Sequence, residues 1–254
     1  MLRFYYTILR SIFHLYMVPL MRYVAAHPQK YSEEKRYYLV RKLSRIVTKA
    51  GRIYTTYHGI ENIPEGGNYI LCPNHSGKFD ALAIVNGHQR PISLVMDYER
   101  SKMYVVNEIM ALIQGKRLKR DDLRQSFSII MEMADELKNG KKFIIFPEGG
   151  YLYDKENHLY PFKAGCFKSV QKAHSTIVPV ALIDSYKAYK YNSIRKSYNS
   201  CYFLKPITYD EIQGMKTQDI AALVQQRIAQ KISDVTGMPI DEIIVDINSD
   251  VQLI

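Results

Sequence analysis

The sequence predicts a single α/β domain: a mixed, mostly parallel sheet of about six or seven strands flanked by helices, with a helical pair ahead of it. Three observations carry that expectation. Short apolar runs at 69–72, 143–146 and 177–183 are rich in aromatic and β-branched residues and read as buried strands. The first two end at a proline (Pro73, Pro147), which has no N–H for a ladder and keeps the residue before it extended. Stretches of helical period lie between them, so helix and strand alternate. The expected divisions are 1–50 for the helical pair, 51–240 for the α/β domain and 241–254 for a tail.

A chain of 254 residues can bury a sizeable core. It carries 35 Lys and Arg against 25 Asp and Glu, a formal charge of +10. Such a balance favours anionic partners: nucleic acid, anionic lipid head groups or a phosphorylated substrate. Cys72, Cys166 and Cys201 are odd in number and scattered, which fits reduced thiols better than a disulfide frame. No Cys/His cluster has zinc spacing, so no metal site is expected.

Residues 1–24 are the most apolar and aromatic part of the chain, interrupted by Arg3, Arg10, His14 and Arg22. The uncharged run 11–21 is too short to span a bilayer, which takes roughly 20 residues. Two readings fit it: an amphipathic helix lying in a membrane interface, or a helix packed on the protein's own core. His27-Pro28 breaks this helix, and Ser32 caps a second one with Glu33 and Glu34 in its first turn.

Residues 52–59 alternate as a strand, and 60–68, with Pro64 and Gly66-Gly67, read as a turn. A helix is expected from Asp80 to about Asn86, a strand over 92–96 and a helix over 101–113. The basic stretch 115–124 reads as a solvated loop or as an anion clamp, because guanidinium forks match phosphate oxygens. Asp121 or Asp122 should cap a helix over 123–137. A helix from Lys163 to about Ala173 precedes the strand 177–183, where Pro179 suggests a strand end or a bulge. Residues 186–202, dense in Tyr and Lys, read as a loop and edge strand. A stacking platform for single-stranded nucleic acid is the other reading, but no nucleic-acid fold signature accompanies it. An amphipathic helix over 217–235 and a loosely ordered acidic tail complete the chain.

The chemistry concentrates at 74–80, Asn-His-Ser-Gly-Lys-Phe-Asp. Five residues within one helix would turn His75 and Asp80 roughly 140° apart. To cooperate, His75 must lie in the turn after the strand and Asp80 in the first helical turn, with Ser76 as a plausible N-cap. A carboxylate on one ring nitrogen fixes the tautomer and leaves the other to take a proton from a hydroxyl. Each residue being hydrogen-bonded only locally is the plainer alternative. A second strand-to-loop turn follows at 146–150, Phe-Pro-Glu-Gly-Gly, where the bare backbone of Gly149 and Gly150 lets a ligand approach closely.

These stretches, in order, resemble the glycerolipid acyltransferase family, the bacterial 1-acylglycerol-3-phosphate acyltransferases in particular. The likeness rests on Asn-His-x4-Asp at 74–80, Arg120 in its basic stretch, Phe-Pro-Glu-Gly at 146–149, Pro-Phe-Lys-x-Gly at 161–165 and Ile-Val-Pro-Val-Ala at 177–181. It covers about residues 50–205. The resemblance implies transfer of a fatty acyl chain from acyl-CoA or acyl-carrier protein to the sn-2 hydroxyl of 1-acylglycerol 3-phosphate, giving phosphatidic acid. It implies no metal or cofactor and no nucleic-acid partner. It makes His75 the general base and Asp80 its orienting carboxylate. Arg120, with Arg117 as the fallback, would bind phosphate, and Glu148 and Gly149 would line the acceptor pocket. The family usually follows Glu-Gly with Thr and then Arg or Ser; here Gly150 and Tyr151 stand there, and Lys163 and Lys78 are candidates to replace the missing charge. The family's N-terminal helical pair embeds in one leaflet, which implies a peripheral, monotopic enzyme on the cytoplasmic face of the cell membrane. Other acceptors remain open (glycerol 3-phosphate or a different lysophospholipid), as does a non-catalytic basic protein binding anionic lipid.

Overall fold

The structure is a computed structural model, and it describes residues 2–119, 121–151 and 156–245. In chain order the elements are α1 (Leu2–Ser11), α2 (Met17–Ala26), α3 (Glu33–Ala50), β1 (Ile53–His58), β2 (Tyr69–Pro73), α4 (Asp80–Gly87), β3 (Ser93–Asp97), α5 (Val106–Leu112), β4 (Lys116–Leu118), α6 (Leu123–Lys138), β5 (Phe143–Ile144), α7 (Phe167–Ala173), β6 (Thr176–Ile183), β7 (Ser197–Phe203), α8 (Tyr209–Ile212), α9 (Thr217–Thr236) and α10 (Ile240–Ile243). The seven strands form one sheet in the order β1-β7-β6-β2-β5-β3-β4. Every pairing is parallel except β6 with β7. The mixed, mostly parallel sheet expected from the sequence is the one observed.

Strand residues alternate between two apolar layers, as the two-residue period of a strand requires. Ile70, Phe143, Ile145, Ile177 and Ala181 face α6, α7 and α9, where Met133, Leu137, Val170, Val224 and Ile228 meet them. Tyr69, Leu71, Ile144, Val178 and Val180 face the other way, toward Met21, Tyr37, Val40, Ile84 and Met110. Both faces of the central strands are covered, which is why their sequences are apolar without interruption.

Several expectations need correction. The first helix is two helices, joined by a 3-10 turn at Ile12–His14. Pro19 explains the break: it has no N–H to give to Leu15, so it is tolerated only in the first turn of the new helix. Of the two readings of this region, packing on the protein's own core holds for α2, whose Met17, Val18, Met21 and Val24 are buried. The helix expected over 101–113 begins only at Val106, because Val105 adopts φ 71°. Residues 116–118 are a parallel edge strand, not a loop. Its Lys116 is buried and paired with Glu132 and Glu136 of α6. β7 is an internal strand between β1 and β6 rather than an edge. Pro179 lies within β6, opposite the point where β7 has ended, so its missing N–H breaks no ladder bond. The start of the tail is docked: Ile243 is buried, and Leu159 pairs with Ile244 through backbone hydrogen bonds to Ile243 and Val245.

Candidate active site

His75 lies just beyond the carboxyl end of β2, at the edge where open α/β sheets build their sites. Asn74 sets its position. Its side-chain amide accepts from the Leu182 N–H at 2.7 Å and donates to the Leu182 carbonyl at 3.0 Å. A buried amide thus stands in for one more peptide of the β2–β6 ladder, and the chain turns only after it. This role was missed from sequence, although a side-chain amide beside a strand-ending proline is the signal for it.

The turn Ser76–Phe79 brings Asp80, the first residue of α4, back under the imidazole. Asp80 Oδ2 accepts from His75 Nδ1 at 2.7 Å, from the Ser76 N–H at 2.6 Å and from the Gly77 N–H at 2.8 Å. Ser76 is therefore not the N-cap. Phe79 stands at that position, and the carboxylate of Asp80 holds the turn from the helix side. Asp80 is fully buried, whereas the His75 side chain keeps 19% of its surface open. With Nδ1 donating to a carboxylate that already gathers two backbone N–H groups, the neutral ring carries its lone pair on Nε2.

Two aromatic rings hold the imidazole. Phe146 lies 4.2 Å from it, centroid to centroid, and Tyr151 packs edge-on at 4.6 Å. Glu148 is buried, and both of its oxygens accept backbone N–H groups: Oε1 from His75 at 2.7 Å and Oε2 from Tyr160 at 3.0 Å. It thereby ties the His75 turn to the loop leading into α7.

Gly149 adopts φ 74°, a conformation that glycine tolerates best. The Lys163 chain lies across it so closely that a Cβ there would meet Nζ at 2.8 Å. Gly150 is buried beside it. Lys78 is exposed at the turn, its ammonium 5.7 Å from the centre of the Phe4 ring of α1. Arg117 is engaged elsewhere, donating to Ser101 and to Asn107 Oδ1. Arg120 lies outside the described residues. The structure therefore brings together His75, Asp80, Glu148, Gly149, Gly150 and Lys163, and gives Arg117 a bracing role.

Cys72, close before His75, is fully buried, and burial pushes its thiol well above the ordinary range, with Cys166 and Glu148 adding to the effect. A thiol held protonated is a poor nucleophile. Among the described residues no group of His, Cys, Asp and Glu is arranged to hold a metal ion.

Comparison with known proteins matches residues 54–183, just over half of the chain, to the family model described as Acyltransferase. A 1-acyl-sn-glycerol-3-phosphate acyltransferase of Borreliella burgdorferi is 22% identical over 179 residues, 70% of this chain and 71% of that one. The enzyme so named in Saccharomyces cerevisiae is 24% identical, over 67% of this chain and 57% of its own. A probable one of Mycoplasma pneumoniae is 23% identical, over 62% and 60%. The chain thus spans about three fifths of the last two. In fold, the crystal structure of the 1-acyl-sn-glycerophosphate acyltransferase PlsC from Thermotoga maritima superposes with a TM-score of 0.67 at 18% identity, covering 91% of this chain and 99% of that one. The matched segment runs from β1 through the end of β6 and encloses the whole His75 site, so the chain belongs to the Acyltransferase family and is an enzyme of acyl transfer.

Proposed function

We propose that the enzyme moves a fatty acyl chain from a thioester, acyl-CoA or acyl-carrier protein, to the sn-2 hydroxyl of 1-acylglycerol 3-phosphate. The observation that carries the mechanism is the 2.7 Å hydrogen bond between His75 Nδ1 and buried Asp80. The acceptor hydroxyl gives its proton to Nε2 as its oxygen attacks the thioester carbonyl. Asp80 orients the ring and stabilises the imidazolium that forms. Collapse of the tetrahedral intermediate breaks the C–S bond, and the departing thiolate takes the proton back from Nε2 as free thiol. The thioester is already activated, so no acyl-enzyme, metal or cofactor is needed. Positioning and base catalysis supply the rate. The relatives' names support the choice of acceptor.

The enzyme works from a membrane surface. No described helix is long and apolar enough to cross a bilayer. Instead α1 and the turn after it turn Tyr5, Ile8, Leu9, Ile12, Phe13 and Tyr16 outward, with Phe13 86% exposed. Such a face fits shallow insertion into one leaflet. The cytoplasmic leaflet suits it, being anionic where the chain is basic.

Tyr151 favours a second reading of the acceptor. A buried ring against His75 stands where the family usually carries Arg or Ser, which suits a lysophospholipid with a different head group. The test is transfer from oleoyl-CoA to a panel of lysolipids in vesicles, wild type beside His75→Ala. Product from wild type alone supports the mechanism; equal turnover by the variant overturns it.

A further inference from the structure

We propose that the first two turns of α6 are a second membrane contact, which seats the mouth of the His75 site on an anionic bilayer. The inference rests on the membrane-surface reading above and adds to it the surface that orients the enzyme there.

The apolar stripe of α6 is longer than the core it serves. Leu123, Phe127, Ile130, Ala134 and Leu137 recur at steps of four and three, so they share one face of the helix. Ala134 and Leu137 are fully buried and Ile130 is 8% exposed, but Phe127 is 52% and Leu123 83% exposed. The face that packs on the sheet thus runs past it and ends in the open. Two neighbouring apolar side chains that prolong a core stripe form a patch, unlike a single exposed leucine.

Topology puts this overhang beside the site. β4 is parallel to β3, β3 to β5 and β5 to β2, so all four end at the edge where His75 lies. The chain leaves β4 at Leu118 and enters α6 at Leu123, so the first turns of α6 stand at that edge. From β2 to β4 is three strand spacings, about 15 Å. α6 also packs on the turn Ala164–Cys166, which directly follows Lys163, the side chain that crosses Gly149. α1 reaches the same edge from the other face of the sheet. It packs on α3, and its Phe4 ring lies 5.7 Å from the Lys78 ammonium. Its Leu2 N–H donates to Asn192 Oδ1 at 3.2 Å, in the segment between β6 and β7. The outward residues of α1 and the overhang of α6 therefore flank His75 on opposite sides of the sheet.

A plane is the shape that meets two apolar surfaces across one mouth, and a bilayer is such a plane. The charges suit an anionic one. Lys119, Arg124 and Lys168 are exposed around the overhang, with Lys168 Nζ 5.3 Å from the centre of the Phe127 ring. Asp121 and Asp122 are exposed there too, but Asp122 is engaged as the cap, accepting the Gln125 N–H at 2.9 Å. Leu123 and Phe127 lie about 6 Å apart along the helix, which matches the roughly 5–10 Å depth of interfacial insertion. α1 turns the larger apolar surface outward, so it anchors the enzyme and the overhang orients it.

The chain contains no tryptophan, so Phe127→Trp reports on this position alone. On vesicles of phosphatidylcholine and phosphatidylglycerol its emission should move to the blue, and brominated acyl chains should quench it. A second variant, Leu123→Ser with Phe127→Ser, should keep its Tm and still float with these vesicles. At saturating lipid it should turn over 1-oleoylglycerol 3-phosphate about tenfold more slowly than wild type, with oleoyl-CoA as donor, because the site is no longer held against the bilayer. Its turnover of a short-chain acceptor in solution should match wild type. A wild type that does not float overturns the membrane reading and this inference with it. Emission from Phe127→Trp that stays red and unquenched on vesicles carrying the protein overturns this inference alone and leaves α1 as the anchor. So does an equal loss in bilayers and in solution, which would give the two residues a role in folding. A loss seen in solution with acyl-carrier protein as donor, and not with oleoyl-CoA, would make the overhang a carrier-protein surface instead. A blue shift without vesicles that follows protein concentration would make it a contact between two copies of the chain.

Discussion

The carboxylate of Glu148 holds the backbone of His75: Oε1 accepts its N–H at 2.7 Å, while Oε2 accepts that of Tyr160 at 3.0 Å. The resemblance implied a residue lining the acceptor pocket; the geometry gives it a positioning task. An amide in its place brings an N–H against an N–H whichever way it turns, and an unsatisfied buried donor costs about 1–3 kcal/mol. Glu148→Gln should therefore lower kcat about tenfold or more with KM for the acceptor changed by less than about threefold. Steady-state kinetics in vesicles check it; a raised KM at constant kcat would return the residue to the head group.

The His75 and Asp80 pair makes a second prediction. Removing a general base costs about 10²–10⁴-fold in rate, so His75→Ala should lose that much or more. Asp80→Asn replaces an oxygen on which three donors converge with a group that can no longer hold all three and the correct tautomer. It should lose activity on the same scale and, unlike His75→Ala, also lower Tm, because the turn itself depends on the carboxylate. Kinetics and thermal unfolding of the two variants side by side separate the roles.

His88 predicts an acid limb in stability. The ring is buried, with Nδ1 on the Arg90 carbonyl at 2.8 Å and Nε2 on the Tyr69 hydroxyl at 2.7 Å. Burial is the main cause that pushes it down to about 4. The unfolded chain returns it to about 6.5, so between those values the unfolded state binds a proton that the native state refuses. Stability is complete above pH 6.5, is lost as the pH falls toward 4, and is lost no further below that. The full loss is on the order of 3 kcal/mol. Urea unfolding from pH 4 to 8 should show this limb in wild type and a flatter one in His88→Gln.

Lys116 predicts non-additivity. Its buried ammonium is shared by Glu132 and Glu136, and Glu136 is also paired with Lys141 at 2.8 Å. Either glutamate alone can neutralise the cation, so Glu132→Gln and Glu136→Gln should each cost about 1 kcal/mol or less. The double variant strands a charge in the interior and should cost about 3 kcal/mol, well beyond the sum. A double-mutant cycle by urea unfolding measures the difference.

The outward face of α1 makes the last prediction. Leu9→Glu with Phe13→Glu changes two exposed side chains, so Tm should move by less than about 2 °C, as for surface substitutions generally. Vesicle flotation should be lost, and with it turnover of acceptors presented in bilayers, while turnover of a short-chain acceptor in solution persists. Retained flotation would mean that another surface meets the membrane.

What was legible in the sequence was local. The runs ending at Pro73 and Pro147 are continuous apolar strands because both faces are covered, and cooperation of His75 with Asp80 across a five-residue step requires a turn followed by a helix. What stayed hidden depended on partners far along the chain. Lys116–Leu118 looks like a solvated loop until Glu132 and Glu136 arrive from α6 to neutralise it. Arg117 looks like a phosphate ligand until Ser101 and Asn107 claim its donors. Ser76 is a good N-cap by type, yet Phe79 stands at the cap and the Asp80 carboxylate reaches back to hold the N–H groups of Ser76 and Gly77. Tyr151 gave no sign that its ring would close on His75.

The pairing of β1 with β7, strands far apart in the chain, has a consequence in time. β1 lies at the sheet edge, and its one neighbour is β7. During synthesis Ile53–His58 leaves the ribosome with no strand to pair with until Ser197–Phe203 follows, on the order of ten seconds later. Until then Ile53–His58 has no strand beside it, although the strands that cover the apolar face of α3 have already been made. The nascent chain thus carries one unpaired strand, open to chaperones, after the partners of the His75 turn have already been made.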